Sequence, residues 1–421
     1  MNRKSFDFDW ISILLCGLLM LGGWMAIYAV SNTSDAALFT TNHGKQLIWV
    51  GVSAFVALVI LSLDNRFIEA ISYFVYGGSL LLLLSVFVLG RTVNGAHSWL
   101  VFGGISLQPT ELAKVATAMA LAKYMSSLNF NLNDREHFLT AVGIVLTPML
   151  ITLLQNDTGS ALVFGSFLFV FYREGLTPLV PLVLLITIFV AVLTLWLNNQ
   201  VLSISIFAGL TAISCYAFFS KKYWQRIVLI HGIAFVLIAV FSLSTNLIVN
   251  KVLQPHQRNR IMVLFNPNID PQGLGYNSIQ SKIAIGSGGL LGKGFLKGNY
   301  TKYKFVPKQV TDFIFCTVGE EGGWIGSAFL VLAFLVLILR AVYLGEHSKT
   351  KYARIYGYSV ASILFFHVFV NIGMAIGLVP VIGIPLPFFS YGGSSLLSFT
   401  ILIFLLINHF SYRSTILGAK Y

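Results

Sequence analysis

The sequence has few charged residues for its length. Only 10% of its 421 residues are Asp, Glu, Lys or Arg, whereas soluble domains average about 25%. A soluble protein of this size needs a charged outer surface, and so few ionisable side chains cannot supply one. The scarcity of charge therefore excludes the soluble globular classes. The 57% of residues that are hydrophobic predict an integral membrane protein instead.

Cysteine is scarce as well. The three cysteines, Cys16, Cys215 and Cys316, lie far apart, and each falls within an apolar segment. Neither a disulfide framework nor a zinc site has this spacing. We therefore expect small buried hydrophobic residues at these positions, and the sequence identifies no metal ligands and no certain cofactor.

Long apolar runs make up most of the chain. A helix needs about 18 or more apolar residues to cross a hydrocarbon core. Such runs lie near residues 10–30, 46–63, 71–90, 109–126, 137–154, 157–172, 177–197, 201–219, 227–248, 313–344, 355–379 and 394–411. The fourth contains charged residues and the sixth is short. The sequence thus predicts an all-α polytopic membrane protein, a single domain over residues 1–421 with about 10 to 12 transmembrane helices.

The distribution of Lys and Arg predicts the orientation. Short cytoplasmic loops are enriched in these residues. If the N-terminus is inside, the short outer loops carry only Lys45 and Arg91, whereas the cytoplasmic ends and loops carry fifteen basic residues. Both termini are then cytoplasmic, and a long loop over residues 250–312 faces outward.

This long loop is itself strongly basic. Against Asp270 and Asp312 it carries Lys251, Arg258, Arg260, Lys282, Lys293, Lys297, Lys302, Lys304 and Lys308. Long loops are translocated largely regardless of their charge, so the orientation stands. One interpretation is a surface that rests on anionic lipid headgroups, and the other is a binding site for a polyanion. Recurrent apolar residues in the loop predict short helices and turns.

The glycine run "GSGGLLGKG" at residues 286–294 does not fit a nucleotide-binding loop. The Walker pattern requires a glycine and a hydroxyl at the places that Ser287 and Gly294 hold. Glycines can still let backbone N–H groups approach phosphate oxygens closely. The glycine run therefore has two interpretations. It forms either a diphosphate contact near Lys293 or simple tight turns between short helices.

Ionisable residues at membrane depth are the strongest site signals. In "PTELAK", Glu111 and Lys114 lie one turn apart on one helix face. Such residues usually line a pathway or a site, and the alternative is a mutually satisfied structural pair. Asp157, at a turn between two apolar segments, either caps the following helix or lies in the same outward cavity.

Asp312 ends the basic loop, directly before an apolar run. A carboxylate between cations and a low-dielectric wall has the environment of a general base. The alternative is an N-cap for a helix that begins at Phe313. Glu320 and Glu321 lie deeper, and we expect them to be structural hydrogen-bond anchors.

A stretch interrupted by Pro and Gly, "GLVPVIGIPLPFFSYGGSSLLSF", separates the last two apolar runs. Non-helical backbone at membrane depth is tolerated where it lines a cavity or is buried in protein. We therefore expect this stretch to form the second wall of the site, with Ser390 and Tyr391 as hydrogen-bond donors.

Several long motifs occur in order across most of the chain: "QPTELAK", "QRNRIMVLFNPNIDPQGLGYNSIQSKIAIGSGGLLGKGF", "TDFIF", "GEEGG" and "GIPLPFFSYGGSS". Together they resemble the shape, elongation, division and sporulation (SEDS) family. The run "GSGGLLGKGF" is more similar to RodA-type than to FtsW-type members. The resemblance implies a peptidoglycan glycosyltransferase that polymerises lipid II by inverting glycosyl transfer. It would act on the outer face of the bacterial cytoplasmic membrane, for cell elongation and shape.

The resemblance also assigns roles to residues. The essential aspartate of the family, its base, falls on Asp312. The acidic and basic residues of its QPSELAK-type motif fall on Glu111 and Lys114, and the aspartate of its QPDLG-type turn falls on Asp157. Candidates to stabilise charge on the departing diphosphate are Arg258, Arg260, Lys282 and Lys293.

The chain departs from the family pattern at a few positions. Asn156 replaces a usual proline, His97 and Ser98 stand where arginine is frequent, and Val310 stands where histidine is frequent. These departures bear on direct substrate contacts more than on the reaction. The pair of spans at about 201–248 also appears as an addition to a ten-span family core.

The resemblance implies partners too. These are lipid II, membrane lipids and a class B penicillin-binding protein that cross-links the strands, with no nucleic acid. Assistance of the diphosphate by a divalent metal is left open. The alternative function is a transporter that flips lipid II across the membrane, because intramembrane charges also fit a translocation path. A pure scaffold would leave Asp312 and the basic loop without a role.

Overall fold

A computed structural model describes residues 8–32, 41–93, 96–102, 105–197, 209, 244, 255–266, 270 and 273–411. The chain divides into two compact units, Met1–Gly175 with Asn277–Tyr421 and Leu176–Tyr276. Apart from the isolated residues 209 and 244, the predicted spans at 201–219 and 227–248 lie outside the described residues, as does Cys215.

The described structure is mainly helical. The helices before the basic loop are α1 (Trp10–Ser31), α2 (Asn42–Ser62), α3 (Asn65–Leu89), α4 (Pro109–Met125), α5 (Arg135–Leu154), α6 (Thr158–Phe164), α7 (Leu168–Arg173) and α8 (Leu179–Leu197). A 3-10 turn, Gly165–Phe167, joins α6 to α7. The helices that follow are α9 (Pro255–Phe265), α10 (Leu274–Ser287), α11 (Asn299–Lys302), α12 (Ile314–Glu346), α13 (Lys351–Ile376) and α14 (Gly393–Ser411).

Within the described ranges, 7 helices are long and apolar enough to cross a membrane, namely α1, α2, α3, α5, α12, α13 and α14. This confirms the all-α polytopic fold class. Helix α4 is shorter and almost entirely buried, and it contacts α3, α5, α13 and α14. The short helices α9, α10 and α11 confirm the expectation of helices within the basic loop.

A small sheet was not anticipated from the sequence. Strands β1 (Arg91–Val93), β2 (Ala96–Phe102) and β3 (Ile105–Leu107) form a 3-stranded antiparallel sheet in the order β1-β2-β3. Two of its strands are too short to show the alternation of apolar and polar residues that predicts a strand. The sheet contacts α3 and α4, so it lies at the end of the first unit where α4 begins.

Ion pairs join helix ends at the opposite end of the first unit. Arg340, near the end of α12, binds Asp9 before α1 with an N–O distance of 2.6 Å. Arg173 at the end of α7 binds Glu346 at 2.6 Å. Asp312 precedes the start of α12, which is kinked at Gly323, so these pairs lie near the other end of that element.

Candidate functional site

The candidate site is built around a non-helical segment, residues 377–392, which connects α13 to α14 and is called here the α13–α14 segment. Pro380, Pro385 and Pro387 prevent it from continuing the helix. Its buried backbone therefore needs hydrogen-bond partners from elsewhere. Side chains of the surrounding helices provide several of them, as the sequence analysis expected for a buried wall.

Asp312 lies beside this segment and is half-buried. Its backbone N–H donates to Lys308 O at 3.0 Å. Its backbone carbonyl accepts from Asn371 Nδ2 at 3.0 Å, and the same amide donates to Ile384 O at 2.7 Å. Asp312 Oδ2 lies 3.4 Å from the position that a Cβ on Gly383 would occupy. Asn371 thus fixes Asp312 and the segment to each other.

The alternative role of Asp312 as a helix cap is wrong. The N-cap position of α12 is Phe313, one residue after Asp312. The turn that carries Asp312 is held in other ways, since Tyr391 N–H donates to Val310 O at 2.9 Å and Gln309 Nε2 donates to Thr317 Oγ1 at 2.9 Å. The structure therefore places the carboxylate next to Gly383 rather than on the end of α12.

Lys282 lies at the beginning of the same segment. Helix α10 is attached to the end of α13 because Ser281 Oγ donates to Ala375 O at 2.8 Å. This contact places Lys282 Nζ 2.9 Å from the position that a Cβ on Gly377 would occupy. The Lys282 side chain is exposed. Lys282 and Asp312 thus both contact the α13–α14 segment.

Lys293 is engaged within the protein. Its Nζ lies 2.8 Å from Glu320 Oε1 and 2.8 Å from Ser287 Oγ. Glu320 also accepts from the backbone N–H groups of Tyr300 at 2.9 Å and Thr301 at 2.8 Å. Glu320 is therefore the structural anchor that the sequence predicted, and it holds the glycine run and α11 against α12.

Glu111 and Lys114 form a buried ion pair at 2.8 Å, with relative exposures of 1% and 2%. Ser398 donates to the second carboxylate oxygen of Glu111 at 3.2 Å. Lys114 Nζ also lies 2.8 Å from His367 Nε2. Of the two interpretations, the structure shows the mutually satisfied pair. Its groups lie inside the bundle and do not reach the surface.

Asp157 caps α6, as one interpretation proposed. One carboxylate oxygen accepts from Ser160 N–H at 3.1 Å, and the other accepts from Gln108 Nε2 at 2.8 Å. The start of α6 touches the α13–α14 segment closely, because a Cβ on Gly159 would lie only 2.5 Å from Ile382 O. Asp157 thereby fixes the start of α6 to the residue before α4.

The first unit therefore brings Asp312, Lys282 and the turn of Asp157 to one segment. Lys114 of the buried pair contacts His367, which also contacts Pro385 O of that segment. Arg258 and Arg260 lie on α9, in the second unit, with Arg258 exposed and Arg260 half-buried. The described residues include no group of three or more His, Cys, Asp or Glu that could hold a metal ion. Cys16 and Cys316 are buried free thiols, as expected.

The sequence analysis missed Asn371, His367 and Gln108, although each binds a site residue or the α13–α14 segment. The available signal was the run "FFHVFVNIG", in which two polar residues one turn apart interrupt an apolar helix. Buried polar groups in such a helix need a specific partner. The sequence gives no indication of which partner they find.

Comparison with known proteins identifies the family. The model of the cell cycle protein family FtsW/RodA/SpoVE matches residues 8–203 and 173–415. A relative from Treponema pallidum (strain Nichols), named peptidoglycan glycosyltransferase RodA, is 32% identical over 94% of this chain and 95% of its own length. Peptidoglycan glycosyltransferase MrdB of Escherichia coli (strain K12) is 31% identical over 94% of this chain and 92% of its own length.

Solved structures give the same result. One solved structure is described as the structural coordination of polymerization and crosslinking by a peptidoglycan synthase complex. A chain of that structure matches this chain with a TM-score of 0.68 and 27% identity, over 97% of this chain and 99% of that one. The rod shape determining protein RodA of Thermus thermophilus shares the fold, with a TM-score of 0.62 at 23% identity over 97% and 98%. This chain therefore belongs to the FtsW/RodA/SpoVE family, in agreement with the resemblance of its motifs.

Proposed function

We propose that Asp312 is the catalytic base with which this bacterial membrane protein, a peptidoglycan glycosyltransferase, polymerises lipid II. The observation that carries the proposal is the position of the carboxylate. It is half-buried beside Gly383, its backbone is fixed by Asn371, and the N-cap position of α12 is Phe313. A positioned base typically contributes about 10² to 10⁴ in rate.

In the proposed reaction, Asp312 takes the proton from the 4-hydroxyl of the acceptor sugar. The oxygen of this hydroxyl attacks the anomeric carbon of the growing chain, and the bond from that carbon to the diphosphate breaks with inversion. The diphosphate leaves with the bonding electron pair on its polyprenyl carrier. Because Gly383 has no side chain, the space beside Asp312 Oδ2 is open, and a larger residue at this position would fill that space.

The negative charge on the leaving diphosphate needs cations. Lys282 is the first-unit candidate, because its side chain is exposed at the start of the α13–α14 segment. Arg258 and Arg260 on the second unit are further candidates. Lys293 is a weaker candidate, since its charge is compensated by Glu320 at 2.8 Å. A divalent metal that assists the reaction would be held by the phosphates of the substrate. Adding a chelator to the polymerisation assay would test whether such a metal is needed.

The orientation proposed from Lys and Arg places Asp312 on the outer face of the cytoplasmic membrane and both termini inside. Helix α12 supports it, because this apolar span runs from Ile314, next to Asp312, to Glu346, which pairs with Arg173. The basic groups near Glu346 then face the cytoplasm. The exposed basic residues near Asp312 face outward, where lipid II and anionic headgroups are available.

A class B penicillin-binding protein is the proposed partner. One solved relative is described as a peptidoglycan synthase complex that coordinates polymerization and crosslinking. By analogy, a single-pass transpeptidase would bind this chain in the membrane and receive the strands that it makes. Adding the purified partner to the polymerisation assay would show whether it raises the rate.

The polymerase and flippase functions predict opposite results in sealed proteoliposomes. The purified chain is reconstituted, and lipid II is supplied from the side that carries Asp312. A polymerase converts this lipid II into long glycan strands without moving it across the bilayer. A flippase would carry lipid II to the other leaflet and produce no strands, and that result would overturn the proposal. The names of the relatives already favour the polymerase.

A further inference from the structure

We propose that His367, in its Nδ1-protonated form, is a positioning residue that connects the buried pair Glu111–Lys114 to the wall of the site. This inference rests on the proposed role of Asp312. His367 lies within α13, is 1% exposed and touches no surface from which substrate arrives. Its effect on the reaction therefore has to pass through its contacts.

The contacts of the imidazole fix its tautomer. Lys114 Nζ lies 2.8 Å from His367 Nε2, and Pro385 O lies 3.0 Å from His367 Nδ1. A lysine ammonium has only donors, so Nε2 must be the acceptor in this contact. The single ring proton then resides on Nδ1 and is donated to Pro385 O. Lys114 in turn is held by Glu111.

His367 and Asn371 act together because they lie one turn apart on the same face of α13. Asn371 donates to Ile384 O, and His367 donates to the next carbonyl, Pro385 O. Proline has no backbone N–H, so this part of the segment cannot form a regular hydrogen-bond ladder of its own. The two side chains therefore fix consecutive carbonyl groups.

The fixed carbonyls are adjacent to the proposed base. Gly383, directly before Ile384, lies next to the Asp312 carboxylate. Asn371 also holds the Asp312 backbone. If His367 no longer binds Pro385 O, Gly383 loses part of the support that sets its distance to Asp312. A displacement of about 1 Å at a reacting group can lower the rate about 10²-fold. The ion pair on α4 thereby influences a carboxylate that it does not touch.

Kinetics of purified variants test the proposal. We expect His367→Leu to lower kcat for lipid II polymerisation about 10- to 100-fold, with KM changed less than about 3-fold. We expect His367→Gln, which retains a donor and an acceptor, to recover kcat to within about 5-fold of wild type. A matched control is His409→Leu. His409 is also buried, on α14 against Tyr352, and no hydrogen bond among the described residues joins it to the segment, so this variant should keep the wild-type kcat.

A second measurement, made on the wild-type protein, does not depend on activity. Nitrogen-15 NMR of histidine-labelled wild-type protein should show His367 protonated on Nδ1 and unprotonated on Nε2. A proton on Nε2 in the wild type would overturn the proposal. An unchanged kcat in folded His367→Leu, or a His367→Gln variant as inactive as His367→Leu, would also overturn it.

Asp312→Asn measured in the same assay separates this proposal from the proposed function. An active Asp312→Asn variant would refute the role of the base. If the expected tautomer and kcat effect at His367 were observed all the same, the segment would position a group other than Asp312. An inactive Asp312→Asn variant together with a wild-type kcat in His367→Leu would refute the positioning role alone.

Discussion

At the scale of single residues, Asn371 shows how a buried amide organises the site. Its Nδ2 binds the carbonyl oxygens of Asp312 and Ile384. Leucine has a similar size but no donor. We expect Asn371→Leu to destabilise the protein by about 1–3 kcal/mol, the cost of leaving buried polar groups unsatisfied, and to lower kcat at least about tenfold. Thermal unfolding and strand synthesis would be measured, and a variant with normal kcat would contradict the arrangement described here.

Gly383 gives a second test at this scale. Its φ is +75°, a conformation that costs a residue with a Cβ about 1–2 kcal/mol. A Cβ would also lie 3.4 Å from Asp312 Oδ2. We expect Gly383→Ala to reduce polymerisation strongly. Gly143→Ala in α5, where a Cβ meets nothing within 4 Å, should retain the rate. Equal rates in the two variants would show that the space beside Asp312 is not needed.

The sequence identified some site residues and not others, for a physical reason. Asp312 and Asp157 stand at boundaries between polar and apolar segments, and such boundaries are visible in the chain itself. His367 and Asn371 lie inside an apolar helix. Their partners, Pro385 and Ile384, become neighbours only when the α13–α14 segment turns back onto α13. A polar residue in such a helix signals a partner without identifying it.

At the scale of elements, Glu320 anchors the glycine run and α11 to α12. It accepts from Lys293 and from the N–H groups of Tyr300 and Thr301. We expect Glu320→Ala to increase hydrogen exchange at Tyr300 and Thr301, because these amides lose their acceptor.

The matched control for this test is Glu346→Ala, at the other end of α12, where Glu346 pairs with Arg173. This variant should leave exchange at Tyr300 and Thr301 unchanged. If Glu320→Ala also leaves that exchange unchanged, the anchor role would be contradicted.

Element boundaries followed local chemistry closely. The predicted start of a helix at Pro109 is observed, since proline is favoured in a first turn. The run predicted over 355–379 ends as a helix at Ile376, because Gly377 adopts a left-handed conformation and Pro380 follows. The small sheet was missed because its strands are short and their pairing depends on residues outside each strand.

At the scale of the whole molecule, the orientation in the membrane remains a prediction with a direct test. Lys308 is exposed near Asp312, and Lys349 is exposed between α12 and α13. In spheroplasts, which lack the outer layers but keep an intact cytoplasmic membrane, Lys308→Cys should react with a membrane-impermeant maleimide. Lys349→Cys should react only after the membrane is opened. Wild-type protein measures the background of the native cysteines, and the reverse labelling pattern would contradict the outward position of Asp312.

The most direct measurement of the central claim is strand synthesis by purified Asp312→Asn with lipid II as the sole substrate. Asparagine keeps the size of the side chain but cannot accept the proton. We expect a loss of about 10² to 10⁴ in rate, in a protein with unchanged thermal unfolding. Asp64→Asn, which alters an exposed carboxylate that caps α3, should remain active. Strand synthesis by Asp312→Asn at the wild-type rate would contradict the account.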